Sequence, residues 1–184
     1  MSAPAALSAT VAAPPDLLLR LALERPADYP AFLDSVGSGP LARRHLLFRA
    51  DGRRLLLDAA GRLHGERTAG RFLDAWRNWY RREQCAARAI ATDDELPAWP
   101  GGWVVLLGYE WASELEPVLT LPPSPDPWVA AALFCPVRLS ADPAGETITV
   151  SAPCEARTAF EAAVSDLQAL KRGAPASAAA RGDG

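Results

Sequence analysis

The strongest constraint in this sequence is a series of short apolar runs bounded by glycine, proline and aspartate. Such runs are typical of β-strands, and they do not alternate regularly with helical patterns. We therefore predict an α+β fold, with a mostly antiparallel sheet and two main helices packed on it. The runs are Tyr29–Ser35, Leu46–Ala50, Leu55–Asp58, Trp103–Tyr109, Trp128–Leu139 and Thr147–Ser151, with a short strand beginning at Leu63.

Two turn sequences predict how some of these runs pair. Asp51-Gly52 is a favoured hairpin dipeptide, so it predicts a hairpin between the runs on either side of it. Residues 142–145 are predicted to join the run that ends at Leu139 to the one that begins at Thr147. Pro136 indicates an edge strand or a bulge, whereas the unbroken apolar run 103–109 is typical of a strand buried on both faces.

Helical periodicity is clearest in two segments. The segment 68–89 places large aromatic side chains on one face, and 155–171 is a second amphipathic helix ending in basic residues. The leucine-rich segment 16–24 fits either a short helix or a strand and is ended by Pro26. The aromatic face of the first helix consists of Phe72, Trp76, Trp79 and Tyr80.

The length of 184 residues fits one domain with poorly ordered ends. Residues 1–15 and 173–184 are rich in alanine, serine, proline and glycine, so we predict a flexible N-terminal segment and a linker or disordered tail. The predicted domain then spans 16–172.

Charge and cysteine content exclude several classes of function. A net charge of −3 disfavours nucleic-acid binding, and no apolar run approaches the length of a membrane span. No basic residue precedes Arg20, which disfavours a signal peptide. Three widely spaced cysteines and two histidines give no zinc motif. These features predict a cytoplasmic protein without bound metal.

Motifs for catalysis are absent from the sequence. It contains neither a GxSxG motif nor a phosphate-binding glycine loop. Glu110, Glu114 and Glu116 could serve in acid–base chemistry or bind Mg²⁺, but a solvated strand end explains them more simply. We predict no catalytic residue and no metal ligand in this chain.

Two segments together resemble the N-terminal domain of the chorismate-utilising enzymes, anthranilate synthase component I and aminodeoxychorismate (para-aminobenzoate) synthase component I. The first is YPAFLDS, which ends at Ser35 and precedes two strand-like runs. The second is GGWVVLLGYE, which ends at Glu110 and is followed by Glu114-Leu-Glu116-Pro117 and Leu121-Pro122. This extended second segment is more similar to the aminodeoxychorismate branch. Asp34 stands where the family usually has glutamate, and Val105-Leu106 where Gly-Tyr is common.

The resemblance implies that the chain is the N-terminal, non-catalytic part of aminodeoxychorismate synthase component I. The whole enzyme converts chorismate and ammonia to 4-amino-4-deoxychorismate for folate synthesis. Its chorismate site and Mg²⁺ lie in a C-terminal domain that these 184 residues do not include, and a glutamine amidotransferase component II supplies the ammonia. This chain alone is therefore expected to be inactive and to hold no cofactor.

In some members of the family the N-terminal domain binds tryptophan, which implies a ligand pocket here. Asp34 and Ser35 would contact the amino acid, and the strand from Gly102 would lie close by. Two alternatives remain: a free-standing non-catalytic module that binds tryptophan or a partner protein, and a fragment of anthranilate synthase component I. The full set of implied pocket residues is Leu33, Asp34, Ser35, Gly102, Trp103 and Tyr109.

Overall fold

A computed structural model describes residues 6–35, 44–66, 70–87, 99–142 and 145–173 of the chain. Short 3₁₀ turns at Tyr109–Trp111 and Cys154–Ala156 lead into the third and fourth helices. The helices and strands of this part are β1 (Ala6–Ala12), α1 (Asp16–Glu24), β2 (Ala31–Leu33), β3 (His45–Arg49), β4 (Arg54–Asp58), β5 (Leu63–Gly65), α2 (Phe72–Ala87), β6 (Gly102–Leu107), α3 (Ala112–Leu115), β7 (Trp128–Cys135), β8 (Val137–Ala141), β9 (Thr147–Pro153) and α4 (Arg157–Gly173).

The strands form two antiparallel sheets. Sheet A has the order β1-β9-β8-β3-β2, and sheet B has the order β5-β4-β7-β6. Each pairing is antiparallel. The predicted α+β class with antiparallel strands and packed helices is therefore confirmed.

Two long segments, 45–58 and 128–141, run antiparallel to each other through both sheets. β3 pairs with β8 in sheet A, and β4 pairs with β7 in sheet B. At the crossing, the backbone N–H of Asp51 donates to Phe134 O at 3.3 Å, and that of Phe134 donates to Arg53 O at 3.1 Å. Gly52 has a φ of 89°, and Pro136, which lacks an N–H, separates β7 from β8.

This crossing corrects two sequence predictions. The hairpin predicted at Asp51-Gly52 is wrong, because β3 and β4 lie in different sheets and each pairs with the 128–141 segment instead. The run Trp128–Leu139 is two strands, and Pro136 marks the change of sheet rather than an edge or a bulge. The predicted pairing across residues 142–145 is confirmed as the β8–β9 hairpin.

Helices α1 and α4 cover one face of sheet A. Leu18 and Leu21 of α1 and Leu167 of α4 are buried against strand residues such as Leu47 and Ile148. The segment 16–24 is thus a helix. Asp166 of α4 accepts hydrogen bonds from the Arg25 guanidinium at 2.6 Å and from the Tyr29 hydroxyl at 2.9 Å, which ties the end of α1 to α4.

Helix α2 covers one face of sheet B. Phe72 and Trp79 are almost fully buried there against Leu55 and Phe134. The predicted aromatic face of α2 is confirmed for these two residues, whereas Tyr80 is 41% exposed.

Two further expectations differ from the structure. Part of the predicted flexible segment 1–15 is strand β1, which pairs with β9 from Ala6 opposite Pro153 to Ala12 opposite Thr147. Its backbone hydrogen bonds come from a strand far away in sequence, so local composition gives no sign of them. Strand β6 is the edge of sheet B and is not buried on both faces, since Leu106 is 61% exposed. Residues 1–5 and the predicted tail beyond Gly173 lie outside the described residues.

Candidate ligand site on sheet A

The first group of predicted pocket residues follows β2 at the edge of sheet A. Leu33 pairs with Leu46 of β3 and is largely exposed. Asp34 contacts Nδ1 of His45 at 2.6 Å, and the Ser35 hydroxyl donates to Arg44 O at 2.6 Å. The Asp34 carboxylate and the Ser35 proton are therefore already engaged within the chain, although the Ser35 oxygen can still accept a hydrogen bond.

The second group lies at sheet B and is spread over different environments. Trp103 is packed among the rings of Trp79, Tyr80 and Phe134, with centroid distances of 5.0–5.7 Å. This environment is that of a core residue. Tyr109 is 76% exposed in the turn after β6.

Gly102 is the residue of the second group that the structure brings toward sheet A. A Cβ at this position would lie 2.7 Å from the Trp99 ring, so only glycine lets the indole lie this close to the β6 backbone. The Trp99 indole N–H donates to Cys135 O at 3.0 Å, at the end of β7. Its ring lies 5.3 Å from the Phe48 ring of β3.

A buried arginine lies beside these two aromatic rings. The Arg138 guanidinium is 5.4 Å from the centre of the Trp99 ring, within the range of a cation–π interaction. Two residues further along β8, Ser140 is 3% exposed, and its hydroxyl oxygen is buried without a hydrogen-bond partner. We call Phe48, Trp99, Arg138 and Ser140 the Trp99 cluster.

These side chains share the face of sheet A that points away from α1 and α4. Val137 and Leu139, which alternate with Arg138 and Ser140 along β8, belong to the helix-covered core. By the same alternation and by the register of the sheet, Leu33 lies on the face of the Trp99 cluster. Ser35 bonds to the backbone carbonyl of Arg44, and the positive charge of the Arg44 side chain acts on Arg138.

Burial sets the electrostatics of the cluster. Arg138 is 9% exposed, and burial, with the positive charge of Arg44 as a second cause, lowers the pKa of its guanidinium. A guanidinium remains protonated at neutral pH despite such a shift. The cluster thus combines a buried cation, a hydroxyl and two aromatic rings. Such a combination suits a planar ligand with a carboxylate.

Sequence reasoning missed the side chains that sheet A contributes to the Trp99 cluster, which are Phe48, Arg138 and Ser140. A signal did exist, because Arg138 interrupts an otherwise apolar strand, and an arginine at such a position must be accommodated by specific partners. The neighbours that accommodate it come from β3 and from the segment before β6, which local patterns do not connect.

Both histidines lie in the described part of the chain, and each is close to an aspartate. His45 is paired with Asp34, and His64 Nε2 lies 2.9 Å from Asp58. The Ser35 hydroxyl donates to a carbonyl rather than to the adjacent imidazole. Among the described residues, no group of three or more His, Cys, Asp or Glu side chains could hold a metal ion, and no helix is long and apolar enough to cross a membrane.

A scan against protein-family models finds no match to this sequence, and a search of the curated proteins finds no significant match either.

Proposed function

We propose that these 184 residues form the N-terminal, non-catalytic part of aminodeoxychorismate synthase component I, a cytoplasmic enzyme that acts with a glutamine amidotransferase. Its role is to support the chorismate-binding domain, which carries the Mg²⁺ and the chemistry. The proposal starts from the order and spacing of the two segments that end at Ser35 and Glu110.

The observation that carries the proposal is the second face of sheet B, opposite α2. Every side chain at its centre is apolar, yet these residues are only half-buried or, at Leu106, exposed. We call this surface the outer face of sheet B. It consists of Leu56, Val104, Leu106, Ala131 and Leu133, which are neighbours in the strand register.

A sheet that is apolar on both faces is normally covered on both faces. Contiguous exposed apolar surface on a soluble protein marks a site of interaction. Strand β6, which supplies Val104 and Leu106, is also the central part of the GGWVVLLGYE segment that resembles the family. The chorismate-binding domain is the partner that this resemblance implies for the outer face.

The test uses this chain together with a chorismate-binding domain of aminodeoxychorismate synthase component I, produced as a separate chain. We expect a complex in size-exclusion chromatography with light scattering. We also expect 4-amino-4-deoxychorismate from chorismate, ammonium and Mg²⁺ at a rate above that of either chain alone. Formation of anthranilate instead would favour the anthranilate branch.

A matched pair of variants locates the interface. Leu106→Asp places a charge on the outer face and should abolish the complex, whereas Leu23→Asp, at a position of α1 that is 72% exposed, should not. The proposal fails if no complex forms, or if both variants bind as well as the unmodified chain.

The Trp99 cluster favours a second candidate, a free-standing module that binds tryptophan. Arg138 would bind the carboxylate of the amino acid, and Trp99 and Phe48 would stack on its indole. Isothermal calorimetry of this chain with L-tryptophan tests it. Saturable binding that is lost in Arg138→Leu and retained in Leu23→Asp supports the module, and the absence of heat at two well-separated temperatures excludes it.

A further inference from the structure

Strand β6 lies at the edge of sheet B, and of the described strands β7 alone pairs with it. Its six residues include no charged residue and no proline, and its register with β7 is unbroken. Natural proteins usually protect a sheet edge with charges, proline, a bulge or a covering segment, because an edge offers its backbone groups to another strand. A strand as apolar and regular as β6 is therefore suited to pairing with a further strand.

The hydrogen bonds to β7 show which backbone groups β6 presents at this edge. The Gly108 N–H, directly after β6, donates to Val129 O at 2.8 Å. Because backbone groups point alternately to the two sides of a strand, the even-numbered residues of β6 are those that bond to β7. The N–H and C=O groups of Trp103, Val105 and Leu107 therefore point away from β7.

The exposure of two adjacent leucines shows that this end of β6 is open on both faces of the sheet. Leu106 belongs to the outer face, whereas Leu107 lies by alternation on the α2 side, where Trp103 packs. Leu106 is 61% exposed and Leu107 is 50% exposed. A domain that lies on one face of sheet B covers one of these leucines, but a strand added in the plane of the sheet contacts both.

We propose that β6 pairs antiparallel with β6 of a second copy of this chain, so that the two B sheets form one continuous sheet. The two-fold axis passes between the two Val105 residues. Trp103 then pairs with Leu107 of the second copy, and Val104 with Leu106. The odd-numbered pairs exchange their outward N–H and C=O groups, and each pair joins apolar side chains on one face.

Charge and symmetry favour a second copy over an unrelated strand. In this register Gly102 lies opposite Gly108, and the first charged residue after β6, Glu110, lies beyond the paired strands, so no like charges face each other. A two-fold interface must be complementary to itself, and an uncharged strand whose outward groups are arranged evenly about Val105 meets that requirement. Because one strand pair is smaller than a standard interface, we expect a reversible dimer.

The test combines the mass of this chain, from light scattering over a range of protein concentrations, with amide hydrogen exchange measured by NMR. We expect the mass to rise from monomer to dimer with concentration. The amides of Trp103, Val105 and Leu107 should become protected over the same range, whereas those of Val104 and Leu106 should be protected at every concentration. This alternation identifies the β6 edge as the interface.

Two variants test the pairing in different ways. Val105→Pro removes an outward N–H but no bond to β7, and Leu107→Lys places a charge opposite Trp103 of the second copy. Each change occurs twice in a symmetric pair, so the dimer affinity should fall roughly tenfold or more. Leu23→Lys, at a position of α1 that is 72% exposed, should leave the affinity unchanged. Leu107→Lys decides the matter if the proline variant does not fold.

A chain that remains monomeric up to about 1 mM would overturn the proposal. A dimer in which the amides of Trp103, Val105 and Leu107 stay unprotected would also overturn it, and so would a dimer that Leu107→Lys leaves intact. Leu107 lies off the outer face, and these measurements do not involve the chorismate-binding domain. Their outcome is therefore independent of the proposed function.

Discussion

Replacing Tyr29 by phenylalanine should destabilise the fold through the loss of one hydroxyl group. Tyr29 is 1% exposed, lies just before β2, and donates its hydroxyl to Asp166 Oδ2 at 2.9 Å. Burial, with the nearby Asp166 charge as the next cause, raises the pKa of Tyr29 far above its usual range. The neutral phenol is therefore the form that the folded state requires.

The magnitude follows from the geometry. Phenylalanine fills the same volume, so no cavity forms, and the loss is that of a hydrogen bond to a charged acceptor, about 1.5–3 kcal/mol. Arg25 still contacts Asp166 at 2.6 Å in the variant, which keeps the carboxylate paired and favours the lower half of that range. A loss of about 2 kcal/mol lowers the Tm by roughly 4–8 °C for a protein of this size.

The assay is urea unfolding followed by tryptophan fluorescence and circular dichroism, with Asp166→Ala and the double variant completing a cycle. Asp166→Ala should cost more in the unmodified chain than in the Tyr29→Phe background, because with tyrosine present it leaves a buried phenol unpaired. A group whose pKa is raised in the folded state stabilises the fold fully below the pKa it has in the unfolded chain, here 10.0, and stabilises it less as the pH rises. The unmodified chain should therefore lose more stability than Tyr29→Phe above pH 10. A cost below about 0.5 kcal/mol, or no coupling to Asp166, would refute this account.

Two other predictions test the junction of the sheets and a glycine at the end of strand β5. Burial raises the pKa of the Cys135 thiol from 9.0 to about 12. The stabilisation that this shift gives is complete below pH 9 and is lost as the pH rises, by about 2 kcal/mol at pH ~10.5. Urea titrations at neutral pH and at that pH should therefore show a smaller difference in the free energy of unfolding for Cys135→Ala than for the unmodified chain. Gly65→Ala should destabilise by more than about 2 kcal/mol, because φ is 98° and a Cβ would collide with the Arg54 carbonyl. Gly52→Ala is the control, because Gly52 also has a positive φ, 89°, but a Cβ there would meet open space, so the cost should be only about 1 kcal/mol. Equal losses of stability for the two variants in thermal unfolding would contradict the steric argument.

Elements whose formation depends on local pattern could be predicted from the sequence. The face of α2 follows from the spacing of Phe72 and Trp79, and both are buried as that spacing requires. The β8–β9 hairpin closes over a few residues, so its turn signal and its partner strands are adjacent. In both cases the interacting groups are close in sequence.

Elements that depend on distant partners could not be predicted in the same way. Asp51-Gly52 has the composition of a hairpin turn, but β3 and β4 each find better partners in the 128–141 segment. Strand β1 is composed like a flexible segment, yet β9 supplies its hydrogen bonds. Because side-chain patterns describe one strand at a time, they do not specify which distant strand satisfies its backbone groups.

The candidate ligand site shows the same limit at the level of individual side chains. The family resemblance implied pocket residues on both sides of the crossing. Of these, Gly102 lies against Trp99, while Trp103 one position later packs against the sheet B core. The change of sheet at Pro136 explains the Trp99 cluster. It turns the chain so that Phe134 faces α2, whereas Arg138 faces away from α1 and α4 and meets Trp99.

A buried arginine is costly to a fold, and an apolar residue of similar size is often at least as stable. Arg138 occupies such a position in β8, between two core residues, beneath an indole that the β6 backbone can approach only because residue 102 is glycine. In the proposed tryptophan-binding module, both features would serve the ligand, the guanidinium by binding its carboxylate and the indole by stacking on its ring. On that proposal, Arg138→Leu should remove the affinity of the chain for L-tryptophan in calorimetry, and a variant that still unfolds cooperatively in urea while losing that affinity separates a binding role from a structural one.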